Sequence, residues 1–320
     1  MTLVNLLSLI AFVVIAVVLV VRMPTVVSEP SSRLAWVAAL FGCAAFASVG
    51  VIIPLDTLDG WLGGTNVVNL LQNTFATAAF WFIMQASRTL DGSQFHARSL
   101  WQLPAMVAAF TVPFFLIPDR GPTSDDFIKL YAEDPMLWAY ASIYMGCVAY
   151  IMFRMLSGIR GRAPKQYVVI RIGAWGVAVA SLLEILYLTL RVLNVEPRAF
   201  VDLVGHGFVI PFYGGVILQA VGMAGFAFVN RTRASVLVAL RVLLLRANAR
   251  RGLETSSPSE QGEEAYDAYR LAVRLTDIAN SEPLSWRERA ILRAATRVLD
   301  RQMSAPVVVR MSGKPQVASS

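Results

Sequence analysis

The sequence predicts an all-α integral membrane protein: a bundle of seven transmembrane helices with its N-terminus outside the cell and a small helical tail in the cytoplasm. Three observations predict this class. Hydrophobic residues make up 56% of the 320 residues and charged residues only 15%, and the mean hydropathy is +0.58. A soluble domain carries about 25% charged residues. The apolar residues also fall into blocks long enough to span a bilayer, and the segments between the blocks alternate in charge.

Each apolar block holds about 20 residues, the length that a helix needs to cross the hydrocarbon core of a membrane. The nearest charge to the first block is Arg22, which follows it, so an uncleaved helix is favoured over a signal peptide. The predicted spans are residues 3–21, 34–53, 66–86, 99–117, 136–156, 168–190 and 206–229.

The charges of the connecting segments predict the orientation. Along the chain, the net charges of the six segments are about +1, −2, +1, −3, +4 and 0. Because basic segments stay in the cytoplasm, the first, third and fifth segments and the tail are expected there. The sequence therefore predicts a multi-pass protein of the cell membrane. Its longest outer segment, 118–135, is either a lid over the bundle or a solvated connector.

The basic charge of the chain is concentrated in the tail. Residues 1–230, the predicted transmembrane domain, have a net charge of +1, and residues 231–320 have +6. The anionic inner leaflet explains this charge with fewer assumptions than a nucleic acid, and no nucleic-acid partner is expected. The residues predicted to contact anionic lipids are Arg231, Arg233, Arg241 and Arg246.

The tail is predicted to contain four segments. The first is a basic interfacial helix, which holds two arginines within an apolar stretch and is short for an eighth span. The third is a helical hairpin expected to dock on a cytoplasmic protein partner or on the rest of the chain, and Ser285 with Glu288 forms a capping box in it. In order, the segments are the helix 231–250, a polar linker 251–262, the hairpin 263–304 and a disordered end 305–320.

Polar residues within the spans define a candidate ligand-binding site. In the third span, Asn66, Asn69 and Asn73 recur at spacings that share one helix face. The sixth span holds Glu184, the one acid within a predicted span, and His206 begins the seventh. All are expected in the outer half of the bilayer, where polar groups often mark function. The candidate residues are Asn66, Asn69, Gln72, Asn73, Glu184, Tyr187, Arg191 and His206.

Two interpretations of this cluster stay open. It could line a polar cavity, with Glu184 as anionic anchor and Arg191 and His206 as its partners. Alternatively, the same side chains could hold the helices together through interhelical hydrogen bonds worth about 1 kcal/mol each. No metal site is expected, because His96 is predicted on the opposite side of the membrane from His206. Cys43 and Cys147 lie within apolar blocks and are expected to be structural.

Three stretches resemble an uncharacterised actinobacterial family of seven-span membrane proteins that has been given a transporter label. They are TNVVNLLQNTFATAAFWF in the third span, RIGAWGVAVASLLEILYLTLRVL in the sixth, and YRLAVRLTDIAN in the tail. The resemblance covers most of the chain and implies the fold more than an activity. It implies no catalytic residue and no cofactor.

The motifs and repeats that the sequence contains or lacks distinguish between the possible classes of function. No motif for hydrolysis, metal catalysis or phosphate binding occurs, so an enzyme is not expected. A secondary transporter of a small solute or ion, using Glu184, is one hypothesis, although such transporters usually show internal repeats. A sensor that binds a small ligand in the outer half of the bundle and reports through its tail fits better. A structural partner of another complex is the third possibility.

Overall fold

The computed structural model describes residues 3–23, 26, 30–89, 100–159 and 165–250, and in the tail residues 273, 276–277, 285–286, 289–293 and 296. The described chain is helical and contains no strand. Its helices are α1 (Leu3–Arg22), α2 (Pro30–Ala47), α3 (Leu55–Gly60), α4 (Val67–Thr89), α5 (Gln102–Leu116), α6 (Phe127–Leu130), α7 (Pro135–Gly158), α8 (Lys165–Val192) and α9 (Arg198–Arg250).

Five of these helices are long and apolar enough to cross a membrane, so the chain is a helical membrane protein. They are α1, α4, α7, α8 and the part of α9 from Arg198 to Gly225. The two other predicted spans correspond to α2 and α5, which are apolar but have only 18 and 15 residues. The count of seven spans and the orientation therefore stay predictions.

Two predicted spans have different bounds in the structure. The second was expected to reach residue 53, but α2 ends at Ala47, and Gly50 soon after it adopts a φ of +92° that does not continue a helix. The seventh was expected to begin at residue 206 and end at 229. Instead, α9 begins at Arg198 and runs without interruption to Arg250, so it includes the basic segment 231–250.

The helices pack in an order that places α7 at the centre of the first compact unit, residues 1–227. α1 packs on α2, α2 on α4, and α4 on α7, which also contacts α5 and α8. Aromatic side chains fill the contacts of α7, where Tyr140 lies 5.1 Å from Phe114 and 6.2 Å from Phe110 between ring centroids. All three rings are buried, so the core of this unit lies around α7.

The outer surface of the bundle is apolar. On α8, every third or fourth residue is half exposed, including Ile172, Trp175, Val179 and Leu182. A stripe of this kind faces a protein core or lipid rather than water. Because these side chains lie on the outside of the described unit, the lipid bilayer is their natural environment.

Glycines close the contact between α8 and α9, which is named here the glycine seam (Gly173, Gly176 and Gly215). A Cβ atom added to Gly173 would lie 2.6 Å from the carbonyl oxygen of Gly215, and one added to Gly215 would lie 2.7 Å from the carbonyl oxygen of Gly173. A Cβ on Gly176 would lie 2.9 Å from the carbonyl oxygen of Pro211. The two backbones therefore touch, as small residues allow in membrane helices.

The second compact unit comprises residues 228–320 and is described only in part. In it, the last part of α9 buries Leu240 and Leu243. Ser285 precedes helical residues, and its carbonyl accepts a hydrogen bond from the backbone N–H of Arg289 at 3.0 Å. The predicted linker 251–262, most of the hairpin 263–304 including Glu288, and the segment 305–320 lie outside the described residues.

Candidate functional site

Asn66 lies at one end of the bundle, where it joins two loops rather than facing an open site. It precedes α4 with a φ of 60°, a left-handed conformation that Asn tolerates better than most residues. Its Nδ2 donates hydrogen bonds to the carbonyl oxygens of Arg120 at 2.6 Å and Pro122 at 2.9 Å. Its Oδ1 accepts one from the backbone N–H of Ser124 at 2.9 Å. Asn66 is 1% exposed, and these hydrogen bonds give both the Nδ2 donor and the Oδ1 acceptor of its buried amide a partner.

Asp59 completes this contact and was not singled out from the sequence, where it reads as one more acidic loop residue. The carboxylate is fully buried. Its oxygens accept hydrogen bonds from the backbone N–H groups of Asn66 at 2.7 Å and Val68 at 2.8 Å, and from the Thr123 hydroxyl at 2.6 Å. An acid at the N-terminus of α4 also opposes the positive end of the helix dipole. Asp59 and Asn66, named here the loop clasp, therefore fix the loops at this end.

Asn69 and Asn73 join α4 to α7 through Tyr140. The Tyr140 hydroxyl donates a hydrogen bond to Oδ1 of Asn69 at 2.7 Å and accepts one from Nδ2 of Asn73 at 2.7 Å. Nδ2 of Asn73 also lies 3.5 Å from Oδ1 of Asn69. The three groups satisfy one another, as buried polar groups in a membrane helix bundle must. This arrangement is the interhelical contact that the sequence left open as one of two interpretations.

Gln72 is the one residue of the predicted set that lines a cavity between five helices of the described bundle. This central cavity has a volume of about 120 Å³ and lies between α1, α2, α4, α7 and α9. Alanines and Gly42 of α2 form one wall, and the rings of Phe80, Phe212 and Tyr213 form part of the other. None of the described lining residues is Asp, Glu, Lys, Arg or His. The cavity can therefore hold a small, neutral and mainly apolar molecule.

Gln219 of α9 is among the residues that line the cavity, and its side chain is almost completely buried. Its side chain is 2% exposed, and its Nε2 lies 3.5 Å from the sulfur of Met152. Its Oε1 is buried and has no hydrogen-bond partner among the described residues. An acceptor left without a partner costs about 1–3 kcal/mol. Gln219 was not predicted as a site residue, and the signal that could have found it is a lone amide in an apolar stretch near Gly215.

A buried arginine connects α1 with α9 beside the cavity. Arg22 ends α1, is 5% exposed, and donates a hydrogen bond from Nη2 to the carbonyl oxygen of Met223. Met223 also lines the cavity, together with Ile15 and Val18 of α1. From the sequence, Arg22 was considered only as the charge that follows the first span, and no contact was predicted for it. In the structure it links two helices that both contribute to the cavity wall.

Glu184 lies on α8 and is not among the residues that line the cavity. It is partly buried and makes no hydrogen bond or ion pair with any residue that the structure describes. The expected pairing of Glu184 with Arg191 and His206 is absent from the described residues. The carboxyl group therefore stays a candidate for a separate role in handling a proton or an ion.

Tyr187, Arg191 and His206 occupy three different environments. The ring of Tyr187 packs against the backbone of Gly205 in α9, where an added Cβ would meet it at 2.9 Å. The guanidinium carbon of Arg191 lies 6.0 Å from the centre of this ring, a cation–π contact. His206 is exposed, and its Nδ1 lies 2.6 Å from the carbonyl oxygen of Asp202 in its own helix. The eight predicted residues therefore do not line one cavity.

Within the described residues, no group of three or more His, Cys, Asp or Glu side chains could hold a metal ion. Cys43 and Cys147 are partly buried and are not joined in a disulfide. Comparisons with protein-family models, with curated proteins and with solved structures found no match to this chain. The functional argument therefore depends on the geometry of the bundle, and the family resemblance stays a prediction.

Proposed function

We propose that this chain is a membrane-embedded sensor, which binds a small ligand in the central cavity and transmits its occupancy through α9 to a cytoplasmic tail. The observation that supports this best is the course of α9. The helix supplies Phe212, Val216 and Gln219 to the cavity wall and continues as one element to Arg250. A change at the cavity can therefore reach the basic segment 231–250 without crossing a loop.

A sensor also needs two arrangements between which a ligand can discriminate. Within residues 1–227, α9 is packed tightly on one side and loosely on the other, so two arrangements of this helix are conceivable. The glycine seam holds α9 directly against α8, backbone to backbone. Towards α1 and α2, the cavity separates α9 from alanine side chains such as Ala39 and Ala45. An occupant of the cavity would increase the separation of α9 from α1 and α2, and α8 would shift together with α9 because the seam holds the two helices in contact.

The proposal includes the partners expected from the sequence. Arg231, Arg233, Arg241 and Arg246 follow the cavity-lining residues on α9 and would contact anionic lipids of the inner leaflet. The tail that follows would engage a cytoplasmic protein, which reads the position of α9.

The test replaces the ligand with a side chain. Ala39→Phe places a ring in the cavity, and Ala44→Phe on the same helix serves as the control, because Ala44 does not line the cavity. Hydrogen–deuterium exchange of the full chain in lipid nanodiscs is then measured for peptides of the tail. We expect Ala39→Phe to change exchange in residues 263–300 by about tenfold and Ala44→Phe to leave it as in the wild type. Equal exchange in all three proteins would refute the sensor.

Glu184 favours a second candidate function, proton-coupled transport of a small solute. A carboxyl group within a spanning helix and without a hydrogen-bond or ion-pair partner among the described residues is suited to taking up and releasing a proton. The discriminating experiment measures proton uptake into proteoliposomes under a pH gradient. Uptake that is lost in Glu184→Gln and kept in Ala39→Phe would support transport, and its absence from the wild-type protein would exclude it.

A further inference from the structure

Two side-chain contacts define how α7 and α8 lie against each other. Nε1 of Trp138 on α7 donates a hydrogen bond to the hydroxyl of Thr189 on α8 at 3.1 Å. Further along α7, the rings of Phe153 and Trp175 meet edge to face with centroids 5.8 Å apart. Higher residue numbers on α7 therefore lie beside lower ones on α8, and the helices run antiparallel. The last turns of α7 and the first turns of α8 lie at the same end of the bundle.

An exposed apolar surface surrounds the ring pair, and it is named here the ring strip (Tyr150, Phe153, Trp175 and Val179). Phe153 is 41% exposed and Trp175 is 50% exposed. Tyr150 lies three residues before Phe153, and Val179 lies four residues after Trp175, so each shares a helix face with its ring. Both are also exposed. Because α7 and α8 are candidate membrane spans, the ring strip is a surface suited to a lipid acyl chain.

Arg171 lies on the ring-strip side of α8, within the spanning part of this helix. It comes four residues before Trp175, so the two side chains share a face. It is six residues from Lys165, where α8 begins, or about 9 Å along the axis. Its side chain is partly exposed and makes no hydrogen bond or ion pair with any residue that the structure describes. A charge within a span is costly, so it requires a partner or access to the headgroups.

Arg154 adds a second positive charge at nearly the same depth. It follows Phe153 directly in α7 and is exposed. Measured from the ring pair towards this end of the bundle, Arg154 lies about 1.5 Å away and Arg171 about 6 Å away along the helix axes. The guanidinium of Arg154 also makes no hydrogen bond or ion pair with a described residue. The two cations therefore differ in depth by less than one helical turn.

The described part of residues 1–227 places no acidic side chain at this end of the bundle. Its acids, apart from Glu184, precede α4 or α7, follow α8 or lie in the first turns of α9, all at the opposite end. Glu184 is 13 residues from Arg171, or about 20 Å along α8. The described residues therefore leave the charges of Arg154 and Arg171 without a counter-charge.

We infer that the ring strip, Arg154 and Arg171 form a binding site for one anionic phospholipid. Its phosphate lies at the two arginines, and one acyl chain covers the rings of Phe153 and Trp175. Guanidinium groups bind phosphate through charge-assisted hydrogen bonds, and basic groups between spanning helices recognise anionic headgroups. The choline group of a zwitterionic lipid would bring a third cation to the site. This site is distinct from the tail arginines and does not depend on the sensor.

The experiment uses Trp175 as the reporter of the lipid that covers it. The full chain is placed in phosphatidylcholine nanodiscs that contain a small fraction of lipid brominated on its acyl chain, either phosphatidylglycerol or phosphatidylcholine. Bromine quenches tryptophan fluorescence at short range, and subtraction of the Trp175→Phe signal isolates Trp175. We expect anionic phosphatidylglycerol to bind about tenfold more strongly than phosphatidylcholine, the effect of one hydrogen bond to a charged group. Equal quenching by the two lipids would overturn the site.

Arg171→Gln tests the headgroup contact and should remove most of this preference. Arg198→Gln removes the same charge at the opposite end of the bundle, and Arg241→Gln removes it from the basic segment 231–250. Both controls should keep the preference. An unchanged preference in Arg171→Gln, or an equal loss in Arg241→Gln, would overturn the site. If Arg171→Gln does not fold, the wild type at about 1 M salt replaces it, where charges are screened beyond about 3 Å and a persisting preference overturns the site.

The lipid site and the sensor fail separately in these experiments. If Trp175 shows no preference for phosphatidylglycerol while Ala39→Phe changes exchange in the tail, the sensor holds and the lipid site is wrong. If the preference depends on Arg171 while Ala39→Phe leaves exchange as in the wild type, the lipid site holds and the sensor is wrong.

Discussion

On two sides, α9 meets small residues of a neighbouring helix, yet one of these contacts is closed and the other is open. Towards α8, Gly173 and Gly215 bring the two backbones into contact. Towards α2, alanines such as Ala39 and Ala45 line a cavity of about 120 Å³. Small residues let helices approach closely, but they do not compel them to do so.

The difference lies in what opposes each small residue. The glycines of α8 face glycine and the backbone of α9, so nothing keeps the axes apart. The alanines of α2 line the same cavity as Phe212 and Tyr213 of α9, whose rings are large but leave part of the space between the helices unfilled. In the proposed sensor, the closed side anchors α9 and the open side responds to a ligand. The following changes would break or sharpen this contrast, from the largest expected effect to the smallest.

Gly173→Leu should have the largest effect, because it drives a side chain into the backbone of α9. The added Cβ alone would lie 2.6 Å from the carbonyl oxygen of Gly215, and backbone cannot move aside as a side chain can. We expect a loss of about 3 kcal/mol of stability or failure to fold. Thermal unfolding in detergent measures this. Gly214→Leu is the matched control, since no atom lies within 4 Å of a Cβ at Gly214, and an equal loss there would contradict the glycine seam.

Asp59→Asn should have an intermediate effect. It tests whether the loop clasp depends on hydrogen bonds, whereas the glycine seam depends on close backbone packing. The carboxylate accepts three hydrogen bonds while fully buried, and an amide at this position would turn an N–H₂ group towards at least one donor. We expect a loss of about 2 kcal/mol. The exposed Asp56→Asn is the control and should change the unfolding midpoint little. If both variants melt together, the clasp contributes nothing.

Ala39→Phe should change stability least, although it adds the largest side chain. The ring enters an existing cavity, so the gain from burying it offsets the cost of ordering it and of shifting its neighbours. We expect the free energy of unfolding to stay within about 1 kcal/mol of the wild-type value. A chemical denaturation series in mixed micelles would measure it. A loss as large as that of Gly173→Leu would show that the cavity wall is as rigid as the seam.

The sequence predicts the helices well because spanning length is a local property. The apolar blocks that begin near residues 66, 136 and 168 become α4, α7 and α8 with ends within a few residues. The small residues of the sixth and seventh spans also indicate close packing without any knowledge of neighbours. The end of α2 was harder to predict, because Gly50 lies within an apolar run that hydropathy alone cannot divide.

The candidate site was not predictable in the same way. Asn66, Asn69, Gln72 and Asn73 share a short stretch of sequence, but their partners come from distant segments. Asn66 bonds to the loop near Arg120, the two other asparagines bond to Tyr140, and Gln72 alone reaches the cavity. Hydropathy and periodicity describe one helix at a time and contain no information about which helix lies opposite.

By itself, the sequence determined that this is a helical membrane protein, where its apolar helices lie, and that its basic charge is concentrated in the tail. Only the tertiary structure decided that Asp59 and Asn66 close one end, that Oε1 of Gln219 has no partner among the described residues, and that residues of five helices line one cavity without a described charged side chain. The physical reason is that burial in lipid is a property of a single helix. A cavity exists only between helices, and its polarity depends on which faces the packing turns towards one another.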